Sequence, residues 1–510
     1  MFVNRIAPVE VLSEEALEIL DGGWRRIVRE IGVEFLHPKA LAILKREGQR
    51  VEGETVFFDP DFVAERVRLA PSEFALHARN PAHDVVLGGR NMVFIPVQGP
   101  PFVRRGDVRR VAGIEDFEDF CRLAQELDDF DSAGGLPCEP SDIPVESRHL
   151  DSVRALLTLT DKPFQGSQSS GIAAADSLVL GEIVFGAELA TRAWMYTNVN
   201  ANSPLRWDDR MLEALLTYAG AGQAVVLTPF LLMGAMSPVS LPATLAQQLA
   251  ETLVGIALVQ TIRPGCPVVM GGFLSATDMQ SGAPSFGGPE SLAGILASGQ
   301  LARRFGLPWR SGGGALTSSP AVDAQAAYEG TATMAAAFMA GANLVLHTGG
   351  WLESGLVASF EKLVVDLDIL RTLRGTFAPI EVDEASLAFD AHLEVGHGGH
   401  FFGAAHTMER FRDCFQRPLL ATTKNFEAWE EAGALDANAR AGRIWRDIVD
   451  AAEPPPLDED VRAEIDAFVE RRTIELTGRP PALRAPRERA VAPEVVETGG
   501  RERRRGRRVR

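Results

Sequence analysis

AVVLTPFLLMGAMSPVSLPATLAQQLAETLVGIALVQTIRPGCPVVMGGFL (224–274) decides the fold. It opens on an apolar run, 224–234, with no polar alternation. A strand of that kind has no wet face and belongs inside a parallel sheet covered on both sides. A 24-residue stretch follows, 240–263, rich in Ala and Leu, with Ser240 placed to cap a helix. A second all-apolar run, CPVVMGGFL (266–274), closes the stretch. Strand, helix, strand in that order is one βαβ unit.

The same rhythm extends in both directions. Short β-type runs recur at FDSAGGLP (130–137), KPFQGS (162–167), AWMYTNVN (193–200), LPWRSGGG (307–314), ANLVLHTGG (342–350) and SLAFDAHLEVG (386–396). With the two runs above that makes eight, spaced about 30–45 residues apart, with helical stretches between them. One such stretch, 321–341, ends on Gly341, the residue type favoured just past a helix. Eight βα units predict an α/β protein of the (β/α)8 TIM barrel class. A doubly wound open sheet is the alternative, but no strand runs into a G-x-G-x-x-G turn.

Residues 1–115 precede the rhythm. Ser13 caps a helix with Glu14 and Glu15 in its first turn, and VVLGGRNMVFIP (85–96) and FVRRGDVRRV (102–111) read as two hairpins. This predicts an N-terminal α/β cap over 1–115, a barrel with C-terminal helices over 116–478, and a tail over 479–510. The tail holds eleven Arg against four Glu and reads as disordered; it carries +7 of the chain's net −18, so residues 1–478 carry −25. An acidic body argues against nucleic acid as the main partner. No run of 18 apolar residues and no basic-flanked leader is seen, so neither a membrane span nor a signal peptide is expected. Four scattered cysteines without a C-x-x-C suit a reducing, cytoplasmic setting.

In a barrel the C-terminal strand ends carry the chemistry. There the sequence places Gln165, Asn198, Asn200, Arg310, the triple glycine Gly312, Gly313 and Gly314, then His347, Trp351, Glu353 and Glu394. The last run leads into EVGHGGHFFGAAHT (394–407), with His397, His400, His406 and Phe402 in a glycine-rich loop. Its spacing matches no helix-face metal pair, and the first strand ends in GGLPCE (134–139), not H-x-H. The loop histidines and His347 are thus open to three readings: partners of backbone carbonyls, contacts to a ligand, or a metal set. No metal is expected. Glu353 is either a solvated loop residue or a group that faces a cationic substrate.

Several long segments carry a family resemblance: NANSPLRWDDRM (200–211), 234–272, DAQAAYEG (323–330), 340–370 and GHGGHFFGAAHTMERFRDCFQRP (396–418). Over about residues 10–475 the chain resembles the trimethylamine methyltransferase superfamily, the corrinoid-dependent methylamine and quaternary-amine methyltransferases. The resemblance implies a TIM barrel whose mouth meets a cognate corrinoid protein, and transfer of a methyl group from an amine to Co(I). It implies no cofactor held tightly by this chain, the corrinoid (cobalamin) being presented by the partner. The founding members carry pyrrolysine; this chain contains only the twenty standard residues. That departure favours quaternary amines such as glycine betaine, whose leaving group is a neutral amine. His347 and Glu353 are then the catalytic candidates. Gln165, Asn198, Asn200, Trp351, Arg310, Glu394 and Phe402 are the substrate candidates. Gly312, Gly313, Gly314, His397 and His400 are placed near the corrinoid. A homo-oligomer stays open, as do a metal-dependent barrel hydrolase or lyase and a non-catalytic binder of methylated amines.

Overall fold

A computed structural model describes residues 1–481; the tail from residue 482 on lies outside the described residues. The architecture is mixed α/β. Its centre is a run of parallel strands: β1 (Asn91–Phe94), β2 (Phe164–Gln165), β3 (Met195–Ala201), β4 (Ala224–Met233), β5 (Val268–Gly271), β6 (Trp309–Ser311) and β7 (Leu344–Val345). They pair in the order β1-β7-β6-β5-β4-β3-β2, every pairing parallel. Both outer strands of this run meet segment 131–134. The Asp131 N–H donates to the Phe94 carbonyl at 2.9 Å, and Gly134 bridges Phe164 in parallel.

Two expectations change. The stretch 386–396 is not a strand: Phe389–Val395 is a short helix. Its apolar and polar residues alternate, which reads as β, but its place in the ladder beside β7 is taken by β1. The second change explains the first. VVLGGRNMVFIP is not a hairpin, because Val85–Gly88 pairs with Glu73–Leu76 while β1 turns away into the central sheet. Gly88 and Gly89, at φ 121° and 55°, make that turn, and a Cβ on Gly88 would lie 2.3 Å from the Ser72 carbonyl oxygen. The region expected as a separate cap therefore contributes a central strand. The second hairpin is present: Phe102–Arg105 and Val108–Val111 pair antiparallel, and the first of these also pairs in parallel with Val357–Ser359.

The helix Leu241–Ile262 packs against β4, with Pro242 in its first turn and every residue from Thr244 to Gln260 buried. It is long and apolar enough to cross a membrane, yet it is enclosed by the rest of the chain. Several polar side chains along it find internal partners, as where Gln260 Nε2 donates to the Cys266 carbonyl at 2.8 Å and Gln247 Nε2 donates to Glu251 at 2.8 Å. The helix Ala324–Ala340 ends on Gly341 at φ 69°, as its sequence requires. Ser13 accepts from the Ala16 N–H and so caps the first helix. Two C-terminal helices, Ala437–Ala451 and Glu459–Thr477, pack back on the core, tied by Trp445 to Glu361 and by Arg472 to Asp176. Cys121, Cys138 and Cys266 are buried free thiols, and Cys414 is an exposed one.

Candidate active site

All the central strands deliver a side chain, at or just past their C-terminal ends, to one cavity of about 310 Å³. Gln98 follows β1, Gln165 ends β2, Asn198 and Asn200 lie late in β3 and Phe230 late in β4. Phe273 follows β5, Arg310 is the middle residue of β6, and His347 follows β7. Trp351 and the turn Ser354–Leu356 complete the wall. The parallel register puts them at one level: Arg310 stands opposite Gly271 on one side and Leu344 on the other.

One wall is aromatic. Phe230 and Phe273 have ring centroids 5.0 Å apart, Phe273 and His347 5.6 Å, and His347 and Trp351 4.3 Å. Trp351 meets Phe273 edge-on at 5.8 Å. Electron-rich ring faces of this kind attract a cation that has shed its water. Another part of the wall is amide. Asn198 Nδ2 donates to Asn200 Oδ1 at 2.9 Å, Thr228 donates to Asn198 Oδ1 at 3.0 Å, and Gln165 Nε2 donates to Gln168 Oε1 at 2.9 Å.

Arg310 sets the charge of the cavity. It is 3% exposed, and neither its Nε nor its Nη1 has a hydrogen-bond partner among the described residues. Among the described residues no Asp or Glu lines the cavity. Burial pushes the guanidinium down to about 9, and no carboxylate offsets that loss of hydration. A buried arginine with idle donors is a site built for an anion. His347 adds to it. The Gln98 N–H donates to His347 Nδ1 at 3.2 Å, which leaves the imidazole proton on Nε2. Burial, and after it the charge of Arg310, holds His347 well below the usual histidine range, so the ring is neutral. Nε2 lies 3.5 Å from Arg310 Nη2, and both atoms present protons. The Gln98 side chain meanwhile accepts from the Gly135 and Leu136 N–H groups, at 3.1 and 2.8 Å. One residue thus braces two strand ends. Around the cavity His347, Glu353, Ser354 and Gly355 all have positive φ, between 49° and 96°. Strained backbone of this kind collects where a fold holds a ligand.

Six residues expected from the sequence come together here: Gln165, Asn198, Asn200, Arg310, His347 and Trp351. The others do not. Glu353 borders the cavity, but its carboxylate accepts from Arg109 Nε at 3.0 Å on both oxygens and is not free for a substrate. Gly312, Gly313 and Gly314 are buried behind the wall and pack tightly: a Cβ on Gly312 would lie 2.8 Å from the Phe273 ring, and one on Gly314 2.6 Å from Thr348 Cα. They shape the cavity without lining it. Glu394 accepts from the Ala405 N–H on the surface, and Phe402, His397 and His400 are exposed, none of them at the cavity. Their assignment to the mouth rested on a strand that is a helix. Among the described residues no three His, Cys, Asp or Glu side chains are grouped to hold a metal. Among the lining residues not expected from the sequence are Gln98, Phe230 and Phe273. Gln98 follows the supposed hairpin, and Phe230 and Phe273 sit in apolar strand runs without being singled out, although an aromatic residue at the end of such a strand is a signal.

Residues 1–477 match the trimethylamine methyltransferase (MTTB) family. The chain belongs to that family. It is 39% identical over 469 residues to a glycine betaine methyltransferase of Desulfitobacterium hafniense, covering 91% of this chain and 98% of that one. It is 29% identical to a trimethylamine methyltransferase from another strain of that species, covering 90% and 93%. A proline betaine:corrinoid methyltransferase of Eubacterium limosum is 29% identical over 81% of this chain and 87% of its own length. The solved monomethylamine methyltransferase of Methanosarcina barkeri aligns over 90% of this chain and 88% of its own, at 11% identity and a TM-score of 0.49.

Proposed function

We propose that this chain transfers a methyl group from a carboxylated quaternary amine of the glycine betaine class to the Co(I) corrinoid of a partner protein. The observation that carries the reading is Arg310, buried without a carboxylate partner beside an aromatic wall. A ligand that satisfies both needs has an anion at one end and an N-methyl cation at the other. Two of the relatives are named for betaines, molecules of that kind.

The residues divide the work by charge. Arg310 Nε and Nη1, with the His347 Nε2–H, receive the carboxylate. The faces of Phe230, Phe273 and Trp351 receive the ammonium without a counter-ion that would compete for it. The corrinoid, brought by its own protein, supplies the reduced cobalt that accepts the methyl group. This chain needs no nucleophile, and a departing tertiary amine needs no proton. A neutral, fixed His347 suits that chemistry: it positions the substrate and transfers nothing. The cavity walls exclude water and hold one N-methyl group toward the mouth.

We also infer that the central strands close as a (β/α)8 barrel, with segment 131–134 between β1 and β2. The two contacts that join those strands through Asp131 and Gly134 support it. The free cysteines suit a reducing compartment.

The test is a methyl-transfer assay. Purified chain is mixed with Co(I) corrinoid on its partner protein, and glycine betaine, proline betaine, carnitine, choline and trimethylamine are added singly. Loss of the Co(I) absorbance with a betaine, and not with choline or trimethylamine, is the expected result. Betaine binding without any loss of Co(I) signal would make the chain a binder. Equal rates with choline and glycine betaine would remove the carboxylate from the reading.

A further inference from the structure

Helix Phe360–Phe377 carries two fully buried ionisable side chains, Lys362 and Asp366, one turn apart and paired to each other. Such a pair is weak evidence for stability, because two apolar side chains of similar size often serve a fold as well or better. Burial lifts the Asp366 carboxyl to about 6 even with the Lys362 ammonium beside it. Neither residue lines the cavity. What they hold is its aromatic wall, from two sides. Asp366 Oδ2 accepts from the Gly350 N–H at 2.9 Å, and Gly350, at φ 99°, stands directly before Trp351. The Gly350 carbonyl accepts from the Ser359 N–H at 2.8 Å, so both backbone groups of that residue are fastened. On the other side, Lys362 Nζ donates to the Ala315 carbonyl at 3.4 Å, and the Ala315 N–H donates to the His347 carbonyl at 2.9 Å. One turn of helix thus fixes the backbone beside Trp351 and the backbone that holds His347, whose rings stand 4.3 Å apart. Two leucines could fill the same space, but they could neither accept from the one segment nor donate to the other.

We propose that Lys362 and Asp366 are positioning residues for the substrate: the pair sets the separation of Trp351 and His347, and through it the grip on both ends of the ligand. The inference rests on the function proposed above, in which Trp351 meets the ammonium and His347 the carboxylate. A site of this kind works only if its walls are held to a fraction of an ångström, and hydrogen bonds from a buried, fully packed pair supply that. The pair touches no substrate. It acts through the two rings, so its removal should weaken binding while leaving the fold standing.

The experiment replaces both charges together, in Lys362→Met/Asp366→Leu, and reads thermal unfolding and calorimetric binding of glycine betaine on the full chain. The variant should unfold at or above the native temperature and bind glycine betaine at least about tenfold more weakly. In a Trp351→Leu background the same double change should cost at least about threefold less, because residues that act as a unit are not additive. Native affinity in the folded variant overturns the proposal, and so does an equal loss in both backgrounds. Should the variant fold poorly, Asp366→Asn and Asp366→Ala take its place. The amide keeps an oxygen for the Gly350 N–H and should bind as the native chain does; equal affinities in the two overturn the proposal. A second readout needs no ligand. With 5-fluorotryptophan incorporated, the fluorine resonance that is missing in Trp351→Leu should shift in the double variant, and an unmoved resonance overturns the proposal. A native chain that binds no betaine refutes the proposed function, and the fluorine shift then decides the positioning by itself.

Discussion

Replacing Arg310 with Met should move two measurements in opposite directions. Nε and Nη1 are each free to make a charge-assisted hydrogen bond to a substrate carboxylate. Such bonds are worth about 1.5–3 kcal/mol each, so their loss removes at least ~3 kcal/mol of binding. At about 1.4 kcal/mol per tenfold, kcat/KM for glycine betaine should fall at least ~150-fold. Choline carries the same trimethylammonium head and no carboxylate, so its rate, where measurable, should hold or rise. Stability should go the other way. In the free chain Arg310 is a buried charge with no counter-ion, and an apolar side chain of similar length relieves that cost, by about 1–4 kcal/mol where comparable buried charges have been replaced. The assays are initial rates of Co(I) loss with both amines and thermal unfolding without substrate. A glycine betaine to choline ratio within about threefold of the native value would refute the carboxylate assignment. An unchanged or lower Tm would refute the claim that Arg310 is held at a cost to the fold.

Trp351→Leu should raise KM for every quaternary ammonium tested by about 3- to 30-fold, the value of a cation–π contact of ~0.5–2 kcal/mol, without changing the preference among them. His347 has its folded pKa depressed, so its contribution to stability is full above about 6.5 and is lost as the pH falls, by about 1.4 kcal/mol per unit. His347→Gln should flatten the stability profile between pH 5 and about 6.5 relative to the native chain, which denaturant titrations at each pH would read. Glu353→Gln breaks a partly exposed tie to Arg109 worth about 1 kcal/mol or less, so kcat/KM should change by less than about tenfold. A loss of a thousandfold would restore Glu353 as a catalytic group. Gly312→Ala presses a methyl group on the Phe273 ring and should cost about 1–3 kcal/mol in thermal unfolding, with KM rising as the ring is displaced.

The sequence showed most strands because a strand buried on both faces is written as an unbroken apolar run, and β4 and β5 are of that kind. It hid β1 because NMVF follows two glycines, and a glycine pair between apolar runs reads as a hairpin turn. Only the third dimension shows that the chain there leaves one sheet for another. Phe389–Val395 misled for the opposite reason: period-two alternation is a strand signal only where a neighbour offers an edge to pair with. For the site, polar residues at strand ends were legible, since Arg310 and Asn198 are unusual inside apolar runs. Whether Arg310 has a counter-ion was not legible, because that depends on the absence of acids from seven other segments. Nor did Glu353 reveal its partner: Arg109 lies 244 positions away.

Several residues that would choose the amine ride on the strands themselves: Asn198 on β3, Phe230 on β4 and Arg310 on β6. A change of diet in this lineage therefore cannot come from exchanging surface loops alone, the usual currency of innovation in enzymes with separable scaffolds and sites. It has to be made by substitution in the most densely packed layer of the molecule, where each new side chain must also suit its neighbours. Divergence toward another amine should leave its record there, as linked replacements across adjacent strands. A library meant to retarget the enzyme should vary those positions together.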